Sequence, residues 1–185
     1  LVDGPMTRVK VKYNGEVSTL EVKPITNAIL KGLFNRSIDG INMVNAPFIA
    51  KERGIEVQES TSNEVHEYTS TVQVQITSEK EARTVTGSIF GKGDSRIVQL
   101  DEYNMEAVLS KNMLVIKNID VPGVIGNLGN VLGKNNLNIA GLHLGRQGEA
   151  DKAVAIINID SPPSKEALGE LRDISHIVSV DSVSL

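Results

Sequence analysis

The chain has no cysteine and no tryptophan among its 185 residues. Without cysteine there is no disulfide, no thiolate zinc or iron–sulfur site and no thiol nucleophile, a composition that suits a reducing, cytoplasmic setting. Aromatics make up only 3%. They are Tyr13, Phe34, Phe48, Tyr68, Phe90 and Tyr103, so the last 82 residues carry none. No apolar run approaches the roughly 20 residues of a membrane-spanning helix, and the opening LVDGPMTRVK has no signal-peptide stretch, so no membrane partner is expected. Positive charge is not in excess: Lys plus Arg is 19 against 23 for Asp plus Glu, a net charge of −4. Nucleic-acid binding rests on clustered Lys and Arg against phosphates, so that class is disfavoured.

What is present is core material, 40% hydrophobic. The length allows one large domain or two small ones of roughly 100 residues each, and the one-sided distribution of aromatics favours two. In the first half, Val9, Val11 and Tyr13 alternate with Lys10 and Lys12 as in a half-buried strand. Asn14-Gly15 then reads as a hairpin turn into a strand over 17–22. Ile25, Ile29, Leu30, Leu33 and Phe34 repeat at helical spacing behind Pro24, and a second helix through Val44–Lys51 is stopped by Gly54. Strand-like runs follow at 55–58, 68–77, 84–90 and 96–100. This predicts an α+β domain with a largely antiparallel sheet.

In the second half the order is strand 113–117, helix 122–136, strands 137–144 and 153–159, helix 165–174 and strand 177–183. That is βαββαβ, the ferredoxin-like split unit, whose helices cover one sheet face. The boundary is placed between 1–110 and 111–185. RNA-recognition modules share this order but stack bases on displayed aromatics. Residues 111–185 contain none and carry seven basic against eight acidic residues.

Several motifs fail on inspection. Gly91-Lys92-Gly93 has two glycines of a dinucleotide fingerprint, but Arg96 stands where the third is needed and no helix is predicted to follow. His66, His143 and His176 are scattered with no metal-ligand spacing. Ser88 and Ser95 have no neighbouring base, and no catalytic residue is assigned.

The sharp signal is Asn118-Ile119-Asp120-Val121-Pro122-Gly123-Val124-Ile125-Gly126, where the first strand of the split unit turns into its first helix. Free backbone N–H groups at a helix N-terminus suit a carboxylate. Gly123 and Gly126 permit close approach to the backbone. Asp120 can accept from an ammonium group, and the Asn138 amide can serve either end. Donors for a carboxylate plus an acceptor for an ammonium describe a free amino acid. Two readings stand together at this point: Asp120 and Asn118 as helix caps with Gly126, Gly129 and Gly133 allowing helix packing, or a ligand site.

DVPGVIGNLGNVLGKNNLNIAGLHLGR, from Asp120 to Arg146, resembles the signature of an ACT domain of the kind at the C-terminus of D-3-phosphoglycerate dehydrogenases. LKGLF (Leu30–Phe34), INMVNAPFIAKERGI (Ile41–Ile55) and GSIFGKGDSRIVQLDEYNME (Gly87–Glu106) are similar to the intervening, allosteric substrate-binding domain of that family's long form. The resemblance implies a regulatory region whose effector is L-serine, contacted by Asp120 and Asn138 side chains and by the backbone of Val124, Ile125 and Gly126. Asn118 stands where the family often has His or Tyr. It further implies an anion site at Arg96 with Lys92 nearby, a second basic position being apolar here near Val108. It implies self-association through paired ACT domains and a catalytic domain in the parent chain. The cofactor would be NAD in the parent enzyme and none in this portion. Because the chain opens at Leu1, it reads as an excised regulatory fragment, non-catalytic by itself, of an NAD-dependent oxidoreductase in L-serine biosynthesis. Alternatives are an ACT-containing subunit of an L-serine dehydratase, whose serine- and histidine-rich motif is absent, and a dimerisation module without ligand.

Overall fold

Hydrophobic alternation in one half and helical periodicity in both build two units, Leu1–Lys92 and Gly93–Leu185. The computed structural model describes residues 2–35, 37–65, 67–91, 93–146 and 152–185. The sequence reading draws its boundary after residue 110, whereas the contacts divide the chain after residue 92.

In the first unit, β1 (Met6–Gly15) lies between β2 (Glu56–Ser62) and β3 (Ser70–Ser78), with β4 (Ala82–Phe90) beyond β3. The pairings are antiparallel except that β1 and β2 run parallel. Two helices, α1 (Lys23–Phe34) and α2 (Ala46–Glu52), form the crossover between β1 and β2. Val9, Val11 and Tyr13 bury one face of β1 against Leu30 and Phe34 of α1 and Ala46 and Ala50 of α2. The Tyr13 hydroxyl shares a 2.7 Å hydrogen bond with Thr26, whose own hydroxyl meets Glu59. Burial raises the Tyr13 phenol above its ordinary pKa, against the lowering effect of the Thr26 bond.

The Asn14-Gly15 hairpin is corrected. Glu16–Thr19 forms a 3-10 turn, and β1 pairs instead with the distant strands β2 and β3. Gly15 has φ +75°, and a Cβ there would sit 2.0 Å from the Thr69 carbonyl oxygen. Glycine is thus required for a close backbone crossing. Gly54, at φ +68°, ends α2 as expected: its N–H bonds the Lys51 carbonyl and the Ile55 N–H bonds that of Ala50. That paired reversal closes a helix C-terminus.

The second unit begins with the pair β5 (Asp94–Leu100) and β6 (Tyr103–Val108), the latter missing from the sequence reading. β7 (Asn112–Ile119), α3 (Val124–Lys134), β8 (Ile139–Arg146), β9 (Lys152–Ile159), α4 (Lys165–Arg172) and β10 (Ile177–Ser184) follow. The expected βαββαβ order forms a four-stranded antiparallel sheet, β10-β7-β9-β8. Leu114, Ile116, Ala155 and Ile157 face Leu128 and Leu132 of α3 and Leu171 of α4. The opposite face, Met113, Val154 and Ile156, is covered by Tyr103, Met105 and Ala107 of β6. Tyr103, 4% exposed, is therefore a core residue and displays no ring for base stacking.

β6 crosses β8 at Gly145, where a Cβ would meet Met105 at 2.8 Å, Tyr103 at 2.9 Å and the Asn104 carbonyl oxygen at 3.1 Å. By contrast nothing lies within 4 Å of a Cβ built at Gly129 in α3. Gly145→Ala should cost about 1–3 kcal/mol through overpacking, whereas Gly129→Ala should stabilise by up to ~1 kcal/mol through helix propensity. Urea denaturation of the two variants measures both signs.

Candidate functional site

β7 leaves its sheet at Ile119, whose N–H is held by the His176 carbonyl at 2.8 Å. His176 itself adopts a left-handed φ of +72° to present that carbonyl. The chain then turns through Val121 and Pro122, and Gly123, at φ +96°, opens α3. The first hydrogen bond into the helix runs from Asn127 N–H to the Gly123 carbonyl, 2.9 Å, and no side chain caps the end. The N–H groups of Ile125 and Gly126 consequently face outward unpaired, beside a positive helix end. The Val124 side chain is buried in the core, so only its backbone borders the turn, while Ile125 and Gly126 are exposed.

Neither Asp120 nor Asn118 caps α3. Asp120 Oδ1 accepts a hydrogen bond from Arg146 Nη2 at 3.2 Å, and Arg146 Nε lies 2.9 Å from Asp120 Oδ2 in an ion pair. Asn118 donates its Nδ2 to the Ile119 carbonyl at 2.8 Å. Its residue is 3% exposed, and Oδ1 is buried without a partner. A buried unpaired amide oxygen costs about 1–3 kcal/mol and marks a place where a donor is missing. Gly126, Gly129 and Gly133 have no neighbour within 4 Å of a built Cβ, so they serve no packing within this chain.

Register explains how Arg146 arrives. Asn118 pairs with Ala153, and Ala153 with Arg146, so the three form one cross-strand row. Ile116–Ala155–Leu144 and Leu114–Ile157–Leu142 are the next rows, and Ala155 and Ile157 belong to the helix-covered face. Asn118 and Arg146 therefore share that face about two strand spacings, roughly 10 Å, apart. Ala153 between them leaves room. Arg146 was not singled out from the sequence, although it ends the quoted signature. Only strand order and register bring it to Asp120.

Asn138 is not brought to this turn. It precedes β8, and β7 and β8 run in the same direction, so Asn138 lies at the far end of the sheet from Asp120. The eight residue steps from Asn138 to Arg146 span roughly 26 Å of strand. Its amide donates to Asp160 at 2.7 Å.

Of the anion-site pair, Lys92 lies outside the described residues, as does His66. Arg96 is gripped by Asp94, at 2.7 and 3.0 Å, and by Glu106 at 3.1 Å. Asp94 chiefly raises its pKa further. Val108 stands directly across from it on β6. In the first unit, a cleft of about 380 Å³ is lined by Lys23, Thr26, Asn27, Lys51 and Glu59 among others; no residue singled out from the sequence as a site candidate lines it.

The model of the D-3-phosphoglycerate dehydrogenase intervening domain matches residues 1–101. The chain belongs to that family. An ACT domain matches residues 112–176, so the four-stranded unit with the turn at Asp120 is the ACT domain and the chain is a regulatory region of the phosphoglycerate dehydrogenase type. Its relatives include D-3-phosphoglycerate dehydrogenases of Archaeoglobus fulgidus, 35% identical over 98% of this chain, and Bacillus subtilis, 32% identical over 98%. That of Methanocaldococcus jannaschii is 32% identical over 100%. The chain spans only 35% of the length of each. Among the described residues no helix is long and apolar enough to cross a membrane.

Because solvent reaches 66% of the arginine side chain of the Asp120–Arg146 pair, against 26% of the aspartate, the pair is screened and contributes little to folding. Asp120→Ala should change stability by less than about 1 kcal/mol, and Leu128→Ala in the same unit by about 2–5 kcal/mol. Parallel thermal melts compare them.

Proposed function

We propose that the ACT domain binds L-serine and that this binding regulates an NAD-dependent D-3-phosphoglycerate dehydrogenase by feedback. The observation that carries the reading is the uncapped start of α3 beside two polar groups, the Asp120 carboxylate and the buried, unpartnered Asn118 Oδ1. N–H groups of Ile125 and Gly126 receive the effector's carboxylate. Asp120 and Asn118 Oδ1 accept from its ammonium and hydroxyl groups.

One copy supplies half of this site. Serine has roughly 7 non-hydrogen atoms, so at a ceiling of about 1.5 kcal/mol each it must be nearly enclosed to reach the ~8 kcal/mol of micromolar binding. β8 is an edge strand carrying the exposed apolar residues Ile139, Leu142 and Leu144. Such an edge invites a further strand. Antiparallel pairing of β8 with β8 of a second copy about a two-fold axis near Leu142 covers those leucines. It also brings Asn138 of one copy to the Asp120 end of the other, across the distance that separates them within one chain. The open row Gly126, Gly129 and Gly133 lets the second copy approach α3 closely.

Serine then favours this paired arrangement, with a coupling typically of ~1–3 kcal/mol. NAD chemistry lies in the rest of the relatives' length, and the residues here do not fit that cofactor: Gly91 and Gly93 lead into β5, a strand, where a dinucleotide needs a helix N-terminus. The setting is the cytoplasm, and the catalytic domain of the parent enzyme is the downstream partner. Arg96, with Lys92, remains the place for an anionic ligand in the intervening region, provided the ligand displaces Asp94 or Glu106.

Calorimetry with L-serine should give saturable heat at micromolar to millimolar concentration, with Asp120→Ala weakening it at least tenfold. Sedimentation equilibrium should show serine shifting monomer toward dimer. A dimer that forms equally without serine, with no heat of binding, supports the ligand-free dimerisation module instead.

A further inference from the structure

The carboxylate assigned to the effector's ammonium group is already occupied. Arg146 places Nε on Oδ2 and Nη2 on Oδ1 of Asp120, so both oxygens face one guanidinium. An ammonium group approaching from solvent meets a pair of zero net charge, and its attraction to the carboxylate is largely cancelled. The other end of the effector needs no help from Arg146, since the Ile125 and Gly126 N–H groups are free for a carboxylate. Arg146 and the ammonium thus seek the same acceptor.

We propose that Arg146 is an internal competitor for the effector's ammonium group, and that it sets how strongly the site prefers an amino acid over the matching 2-hydroxy acid. The proposal rests on the effector reading above. Arg146 stands at the end of the edge strand in the row Asn118–Ala153–Arg146, and its side chain is 66% exposed. In the single chain two-thirds of the arginine side chain meets solvent, so the guanidinium can leave, whereas Asp120, 26% exposed, stays in the turn in need of a cation. An amino acid supplies a cation in its place. A hydroxy acid supplies none, and binds only while Arg146 stays to neutralise Asp120 next to the ligand's own negative charge. Removing the arginine's charge therefore moves the two ligands in opposite directions, which a merely structural role for Arg146 does not do.

The test is calorimetry on the native chain and on Arg146→Met and Arg146→Lys, each titrated with L-serine and with L-glycerate, in which a hydroxyl replaces the ammonium. Arg146→Met should bind L-serine roughly two- to fivefold more tightly and L-glycerate more weakly, with Arg146→Lys between it and the native chain. Thermal melts confirm folding, and Arg146→Gln stands in if the methionine variant does not fold. The proposal is overturned if L-serine weakens together with L-glycerate, which assigns Arg146 to the effector's carboxylate, or if the ratio of the two affinities does not change. Serine heat that is present and insensitive to Arg146 removes the competitor alone. No serine heat at millimolar concentration in any of the chains removes the effector reading, and the competitor falls with it.

Discussion

Two strands of the second unit are largely buried on both faces. β9 is buried along its length from Ala153 to Ile159, and β7 buries Met113, Leu114 and Ile116. Such strands must be covered on both sides. The helices α3 and α4 cover one side and the β5–β6 pair covers the other. With both faces taken, the turn after β7, the end of β8 and the first turn of α3 lie open at the rim of the unit. The small aliphatic and alanine residues of β9 leave that rim open, since Ala153 lies between Asn118 and Arg146 where a larger side chain would fill the gap.

The rim is held together by opposed demands. Its ends are fixed by hydrogen bonds that the backbone can satisfy alone, as between Ile119 and His176, and α3 is closed at its far end by Asn136, at φ +55°, in the same reversal that ends α2. Near this turn, an amide oxygen at the end of β7 and two N–H groups at the helix start are unsatisfied within one chain, while two other buried amide oxygens without a partner, Asn14 Oδ1 and Asn158 Oδ1, lie elsewhere. A protein of modest stability tolerates only a few such groups.

Much of this was legible in the sequence because it is periodic. Ile25 to Phe34 and Val124 to Leu132 carry helical spacing over several turns, and the βαββαβ order follows from the alternation of short apolar runs. Short or irregular features were not legible. β6 contains only Tyr103, Met105 and Ala107 as inward residues, too brief a run beside a polar loop to stand out. Asn14-Gly15 has hairpin chemistry, and nothing local reveals that Thr69 lies against it. For the candidate site, Asp120 and a helix start after Pro122 stand out from local spacing, with helix capping as the other reading, whereas the Val124–Gly126 contacts come only from the family resemblance. The pairing of Asp120 with Arg146 and the separation of Asn138 depend on which strands are neighbours and in which direction they run. Those are non-local facts, set by burial of β7 and β9, that spacing along the chain does not encode.

The crossing of β6 over β8 has a mechanical side. With Met105 Cε, Tyr103 Cβ and the Asn104 carbonyl oxygen all within 3.1 Å of where a Gly145 Cβ would stand, the two strands meet at a point with little slack, in an interior as closely packed as a crystal. They can tilt about that point more readily than they can slide past each other, since sliding would drive a neighbouring side chain into the carbonyl. The edge that ends in Arg146 and the strand pair through which the chain enters this unit are thereby geared at a single glycine.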